Sequence, residues 1–207
     1  GHIEFIKKTQ VLEDENRKKK LLPHIQTVLK YHETLWPNAL QLNLVPILND
    51  IGISIYMLGG SRHIVKDFYQ RALLIMEQYY NKNDIKLAPI LDSLGVVYRD
   101  LGYYEQSKLS HIRALNIKEQ YYVQNHIEMA ATLDLIGVAY RYLGNVKQSK
   151  EFQERALKIK EEHYDKDNVE IAHTLDYLGR DYRDLGDAKK AKELHLRALI
   201  IKEKYYG

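Results

Sequence analysis

The sequence predicts an all-α protein built as a solenoid, with antiparallel helix pairs stacked one on the next. Three observations predict it. A block recurs every 42 residues, as "LDSLGVVYRDLGY" (91–103), "LDLIGVAYRYLGN" (133–145) and "LDYLGRDYRDLGD" (175–187). Each block is followed by a second one that recurs at the same interval, "RALNIKEQYY" (113–122), "RALKIKEEHY" (155–164) and "RALIIKEKYY" (197–206). Glycine stands inside an apolar helical stripe in every copy, at Gly95, Gly137 and Gly179, although glycine in a helix costs about 1 kcal/mol relative to alanine. A residue that a lone helix would reject, kept at a fixed interval, predicts a helix that another group approaches closely. Repetition at this period is the mark of stacked units that share one core.

The elements follow in chain order. Residues 1–37 read as a helical segment that ends in a degenerate half unit, "TVLKYHETLW" (27–36). Its "RKKK" (17–20) suits a solvated helix face, with a targeting or phosphate-binding patch as the alternative. Four full units follow, at 38–82, 83–124, 125–166 and 167–207. The first is looser, with "LNDIGISIYMLGG" (48–60) and "RALLIMEQYY" (71–80). In the third, Leu133, Ile136, Gly137 and Tyr140 fall at i, i+3, i+4 and i+7, one stripe of a helix. Asn125 with Glu128, and Asp167 with Glu170, give the start signal of an acceptor followed three residues later by a carboxylate. Gly144 suits a left-handed helix end. The second helix is expected over about 146–164, with Ala156, Leu157 and Ile159 inward. Pro46 and Pro89 fall inside expected first helices, so those helices start late or are interrupted; a kink or short break is the expectation. The chain stops at "EKYYG", which predicts an apolar flank on Leu194, Ala198 and Ile201, to be covered by another chain or by the rest of a longer protein.

Composition narrows the function. The 207 residues contain no cysteine, which excludes disulfides, thiolate metal sites and a cysteine nucleophile. The 31 basic and 28 acidic residues leave a net charge of +3, too small to imply nucleic acid or an anionic membrane. Metalloprotease, phosphate-loop and nucleophile-elbow motifs do not occur, so the chain reads as non-catalytic, with no cofactor and no metal. His111 and His195 hold equivalent places two units apart, too far to share an ion. The paired tyrosines at 79–80, 121–122 and 205–206 read as packing at the ends of second helices. No long apolar run or leader is visible, and the expected compartment is the cytoplasm. Abundant Lys, Ile, Tyr and Asn suggest an AT-rich genome; a secreted bacterial protein would work in the host cytosol.

The order Leu, Leu-Gly, Tyr, Leu-Gly, Ala-Leu resembles the tetratricopeptide repeat, whose usual period is about 34. The 42-residue form, with "RALxIKExxY" followed by "AxTLDxLG", is similar to the repeats of kinesin light chains and of many bacterial and signalling proteins. The resemblance covers about residues 40–207. It implies a right-handed superhelix whose first helices line a concave groove. It also implies a protein-binding scaffold, with a peptide or extended segment as ligand. Residues between the core positions would face that groove: Asn49 and Tyr56; Asp92 and Arg99; Asp134, Arg141 and Tyr142; Asp176, Tyr177, Arg180 and Arg183. Ile53 and Met57 would make an apolar end, or a seat for the N-terminal helix. Two ladders stand out, Asp92–Asp134–Asp176 and Arg99–Arg141–Arg183, seven residues or about 10 Å apart on each helix. Arginines would take a ligand's carboxylates or carbonyls, aspartates its N–H groups, and the tyrosines would add flat contact area. The alternative is that each Asp pairs with an Arg of a neighbouring unit. Kinesin light chains commonly carry asparagine where Asp92, Asp134 and Asp176 stand, so cargo specificity does not carry over. Two further readings are an oligomerisation segment that self-associates through its open end, and the sensor or targeting domain of a larger protein.

Overall fold

The computed structural model describes residues 42–57 and 59–206, and the N-terminal segment, its half repeat and "RKKK" lie outside the described residues. Eight α-helices and two 3₁₀ turns appear among the described residues, with no strand. They are α1 (Leu44–Met57), α2 (Arg62–Tyr79), α3 (Ala88–Asp100), α4 (Tyr104–Tyr121), α5 (Ala130–Tyr142), α6 (Val146–His163), α7 (Val169–Asp184) and α8 (Ala188–Tyr206). The chain divides into two compact units, residues 1–90 and 91–207, and the division falls inside α3.

Short turns fold consecutive helices back on each other. Gly102, Gly144 and Gly186 all take positive φ, 79°, 79° and 90°. Behind each, the next residue's N–H reaches a carbonyl five residues back, as Asn145 does to Tyr140 (2.9 Å), so the last turn of the first helix is closed without water. Gly144 is therefore the left-handed end its spacing predicts.

The starts of the first helices differ from expectation. Helix α3 begins at Ala88, after a 3₁₀ turn over Ile85–Leu87, so Pro89 lies in its first turn; Pro46 is likewise the third residue of α1. There the proline N–H has no helical partner to lose, and the expected kink is instead a late start. The caps are displaced by one residue. His126 Nδ1 accepts from Glu128 N–H (3.2 Å), and Asn168 Oδ1 accepts from Glu170 N–H (2.8 Å). Asn125 instead turns the chain at φ 59°, a conformation asparagine tolerates, and Asp167 pairs with Lys204.

The core is shared between pairs. Leu115 of α4 joins Met129, Ala130, Leu133, Ile136, Ala156 and Ile159 in one cluster that spans α4, α5 and α6. Leu157 of α6 packs in the same way on the α7–α8 cluster of Ile171, Leu175, Leu178, Leu194, Ala198 and Ile201. Leu133 and Ile136 are fully buried, worth about 1.5–3 kcal/mol each. That outweighs the cost of one helical glycine.

Two expectations are corrected here. Leu194, Ala198 and Ile201 are core, at 7%, 0% and 2% exposure, not an open flank. The tyrosine pairs divide their labour: Tyr121 is exposed, while Tyr122 stacks on His126 at 4.3 Å.

Candidate functional site

The glycines of the stripe admit polar side chains. A Cβ on Gly137 would meet Gln153 at 2.5 Å, and one on Gly95 would meet the His111 ring at 2.5 Å. Gln153 and His111 come from the second helix of each pair and are almost fully buried. Gln153 Nε2 donates to the Asp134 carbonyl (2.9 Å), and His111 Nδ1 lies 2.9 Å from Asp92 Oδ1. The small residues thus let the second helix set a hydrogen-bonding group against the first.

The aspartate ladder is occupied from within. Lys118 Nζ donates to Asp92 Oδ2 (2.9 Å) and to Thr132 Oγ1 (2.6 Å), and Thr132 donates to Asp92 (2.6 Å). One unit on, Lys160 donates to Asp134 (2.7 Å), Thr174 Oγ1 (3.0 Å) and the Glu170 carbonyl (3.0 Å), and Thr174 donates to Asp134 (2.9 Å). Each aspartate therefore joins three helices: its own, the second of its pair, and the first of the next. In the last pair Lys202 and His195 meet Asp176. The partner is a lysine 26 residues on, not an arginine of a neighbouring unit.

The electrostatics follow the burial. Burial pushes the Asp92 carboxyl up, but hydrogen bonds from His111 and Thr132 and the Lys118 charge outweigh it, and the net direction is down. Asp176 is lowered in the same way, burial being overcome by Lys202 and His195. Asp134 goes the other way: burial prevails over Lys160 and Thr174, and nearby Glu170 adds to it.

The arginines are not equivalent. Arg141 is held by α7, donating to Asp181 (2.5 Å) and Asp184. The sequence reading missed Asp181. Its side chain is fully buried, raised by that burial despite Ser149 (2.6 Å) and Arg141. The signal was present, since Asp181 stands where the other copies have Val97 and Ala139. Arg183 is 63% exposed and touches Asp184 (3.2 Å), and exposed Arg180 lies 5.9 Å from the Tyr177 ring. Tyr142 is 55% exposed and stacks on Tyr104 at 4.7 Å. Arg99 pairs with Asp100 (2.8 Å). In the first compact unit Asn49 is half-buried, Tyr56 lies beneath the Arg62 guanidinium (4.0 Å), and Ile53 and Met57 are exposed. No group of acidic, histidine or cysteine side chains fit to hold a metal occurs among the described residues. No helix there is long and apolar enough to cross a membrane.

Residues 128–204 match the tetratricopeptide repeat family model. With helix pairs that share a core at a fixed interval, the chain is a tetratricopeptide-repeat protein, an α-solenoid of antiparallel helix pairs. Its type is that of the kinesin light chains. A putative kinesin light chain of Podosopora anserina with nearly identical TPR-like repeats superimposes with a TM-score of 0.74; the match covers 98% of this chain and 93% of that one at 13% identity. BtubC (BKLC) from P. vanneervenii is 23% identical over 79% of this chain, with a TM-score of 0.71. The chain spans 65% of the BtubC length. The apo form of RapI matches at 0.72 and 16% identity, over 92% of this chain and 67% of that one. At these identities the likeness is one of fold. No curated protein sequence matches the chain.

Proposed function

We propose that the chain is a non-catalytic interaction scaffold that takes a peptide or extended segment along the surface of its first helices. The supporting observation is the division of labour just described. Asp92, Asp134 and Arg141 are committed to the chain's own framework, whereas Tyr142, Tyr177, Arg180 and Arg183 present aromatic area and positive charge on adjacent first helices. Those helices are tied side by side by the Arg141–Asp181 pair. The ligand is then one whose carboxylates or carbonyls answer arginine, and its N–H groups find no aspartate ladder to bind. Tetratricopeptide repeats are scaffolds reused for many partners, which agrees with this reading.

The test is a display library of extended peptides selected on the wild type. Selected peptides are then measured by fluorescence anisotropy against the variant Tyr177→Ala, Arg180→Glu, Arg183→Glu. We expect affinity to fall tenfold or more with helicity unchanged. Undiminished affinity removes this surface from the account. Arg141→Glu is unsuitable for the purpose. It would set a carboxylate against buried Asp181 and cost about 3–5 kcal/mol of stability.

A further inference from the structure

The outer face of α8 repeats a surface that is covered in the two pairs before it. Leu115 of α4 is buried in the α5–α6 core, and Leu157 of α6 packs on the α7–α8 core. Leu199 stands at the same place 42 residues on and is 51% exposed, with Leu196 (53%) and Ile200 (51%) beside it. Leu196 and Ile200 line a recess of about 320 Å³.

The polar groups of this face are open in the same pattern. Thr132 and Thr174, each from the following first helix, close the Asp92–Lys118 and Asp134–Lys160 pairs. Asp176 and Lys202 receive no such hydroxyl among the described residues, and their side chains are 25% and 32% exposed against 10% and 4% in Asp134 and Lys160. Likewise Arg155 reaches back to Glu119 and Arg197 to Glu161. Glu203 holds the equivalent place and carries no ion pair among the described residues.

We propose that this face docks an amphipathic helix of a partner protein with the chemistry of α5 and α7. That helix carries an alanine and a leucine for Leu196 and Leu199. A threonine directly before the leucine, as in Thr132-Leu133 and Thr174-Leu175, donates to Asp176. The occupant's chemistry is set by the two helices that already cover the same surface in this structure. The apolar stripe supplies the area, and the hydroxyl fixes which residue sits where, because a helix without it leaves the Asp176–Lys202 pair short of a donor. This surface is separate from the groove of the preceding proposal.

The probe is a fluorescent, helix-stapled peptide of residues 165–186, which contains α7, titrated onto the full chain. Saturable binding is expected. Leu196→Glu with Leu199→Glu should abolish it; both residues are half exposed, so the fold should persist by circular dichroism. The same peptide with Thr174→Val should bind about tenfold more weakly. No saturable binding, indifference to the leucine pair, or equal affinity of the valine peptide would overturn the proposal. Sedimentation of the chain alone supplies the other arm. A concentration-dependent dimer lost in the leucine variant would assign the face to a second copy and overturn the partner helix; a monomer at all concentrations supports it.

Discussion

Replacing Asp134 by alanine removes a carboxylate from a site where the side chains of Asp134, Lys160 and Thr174 are almost wholly buried. The Lys160 ammonium then keeps two neutral acceptors, the Glu170 carbonyl and Thr174 Oγ1, both at 3.0 Å. An ion left alone in this way costs about 3–5 kcal/mol, and removing Lys160 instead should cost a similar amount. The pair itself contributes much less than either loss suggests. Its desolvation already raises Asp134 in spite of the lysine, which means that much of the attraction is cancelled. The chain offers a natural replacement: the first repeat carries Asn49 and Met76 where the third has Asp134 and Lys160. Asp134→Asn with Lys160→Met should therefore lie within about 1–2 kcal/mol of wild type. The coupling between the two positions should be about 3 kcal/mol or more, at the top of the usual range for contacting pairs. Urea unfolding followed by far-UV circular dichroism gives all four corners of the cycle. Additive losses, with the double variant the least stable of the four, would refute the view that lysine and aspartate form one closed unit.

The glycines should rank by what sits over them. Gly95→Ala drives a Cβ into the rigid, buried His111 ring and should cost about 1–3 kcal/mol net of the helix gain; Gly179→Ala should cost less, because His195 is 38% exposed and can swing aside. Thermal unfolding of the two variants checks the order. The buried serines should separate as well. Ser149→Ala takes a donor from buried Asp181 and should cost about 1–3 kcal/mol, whereas Ser107 has a hydroxyl without a partner, so Ser107→Ala should be neutral or slightly stabilising by the same urea assay. Acid supplies a further check. Asp92 is lowered in the folded state, so its ionised form contributes stability that is complete above the ordinary aspartate value, roughly pH 4, and is lost as pH falls through the lower folded value. The penalty of Asp92→Asn, measured by urea midpoints, should shrink below about pH 4; a penalty that grew there would contradict the direction.

The fold was legible in the sequence because its cause is local and repeated. A stripe at i, i+3, i+4, i+7 that ends at Gly144 specifies a helix and its stop, and a second copy 42 residues away specifies a neighbour that buries it. The start signals were misread by one residue at Asn125 and Asp167, since neighbouring acceptors of similar chemistry compete for the same N–H groups. The prolines were placed too deep because nothing in the pattern marks a 3₁₀ turn ahead of α3.

Pairing among the charged residues was decided by tertiary structure. The sequence sets Asp134 and Arg141 on one helix, seven residues apart, and both look equally available to a ligand. Which becomes framework depends on groups 26 and 40 residues away, Lys160, Thr174 and Asp181, brought within hydrogen-bond reach only by stacking. The periodic pattern likewise identifies Leu194, Leu196, Leu199 and Ile201 as apolar; the rotation of α8 on α7 decides that two of them are core and two face outward. Periodicity fixes what each helix is, because backbone hydrogen bonds and one apolar stripe suffice for that. Contacts between helices fix what each side chain does, because a buried charge takes the partner that packing brings to it.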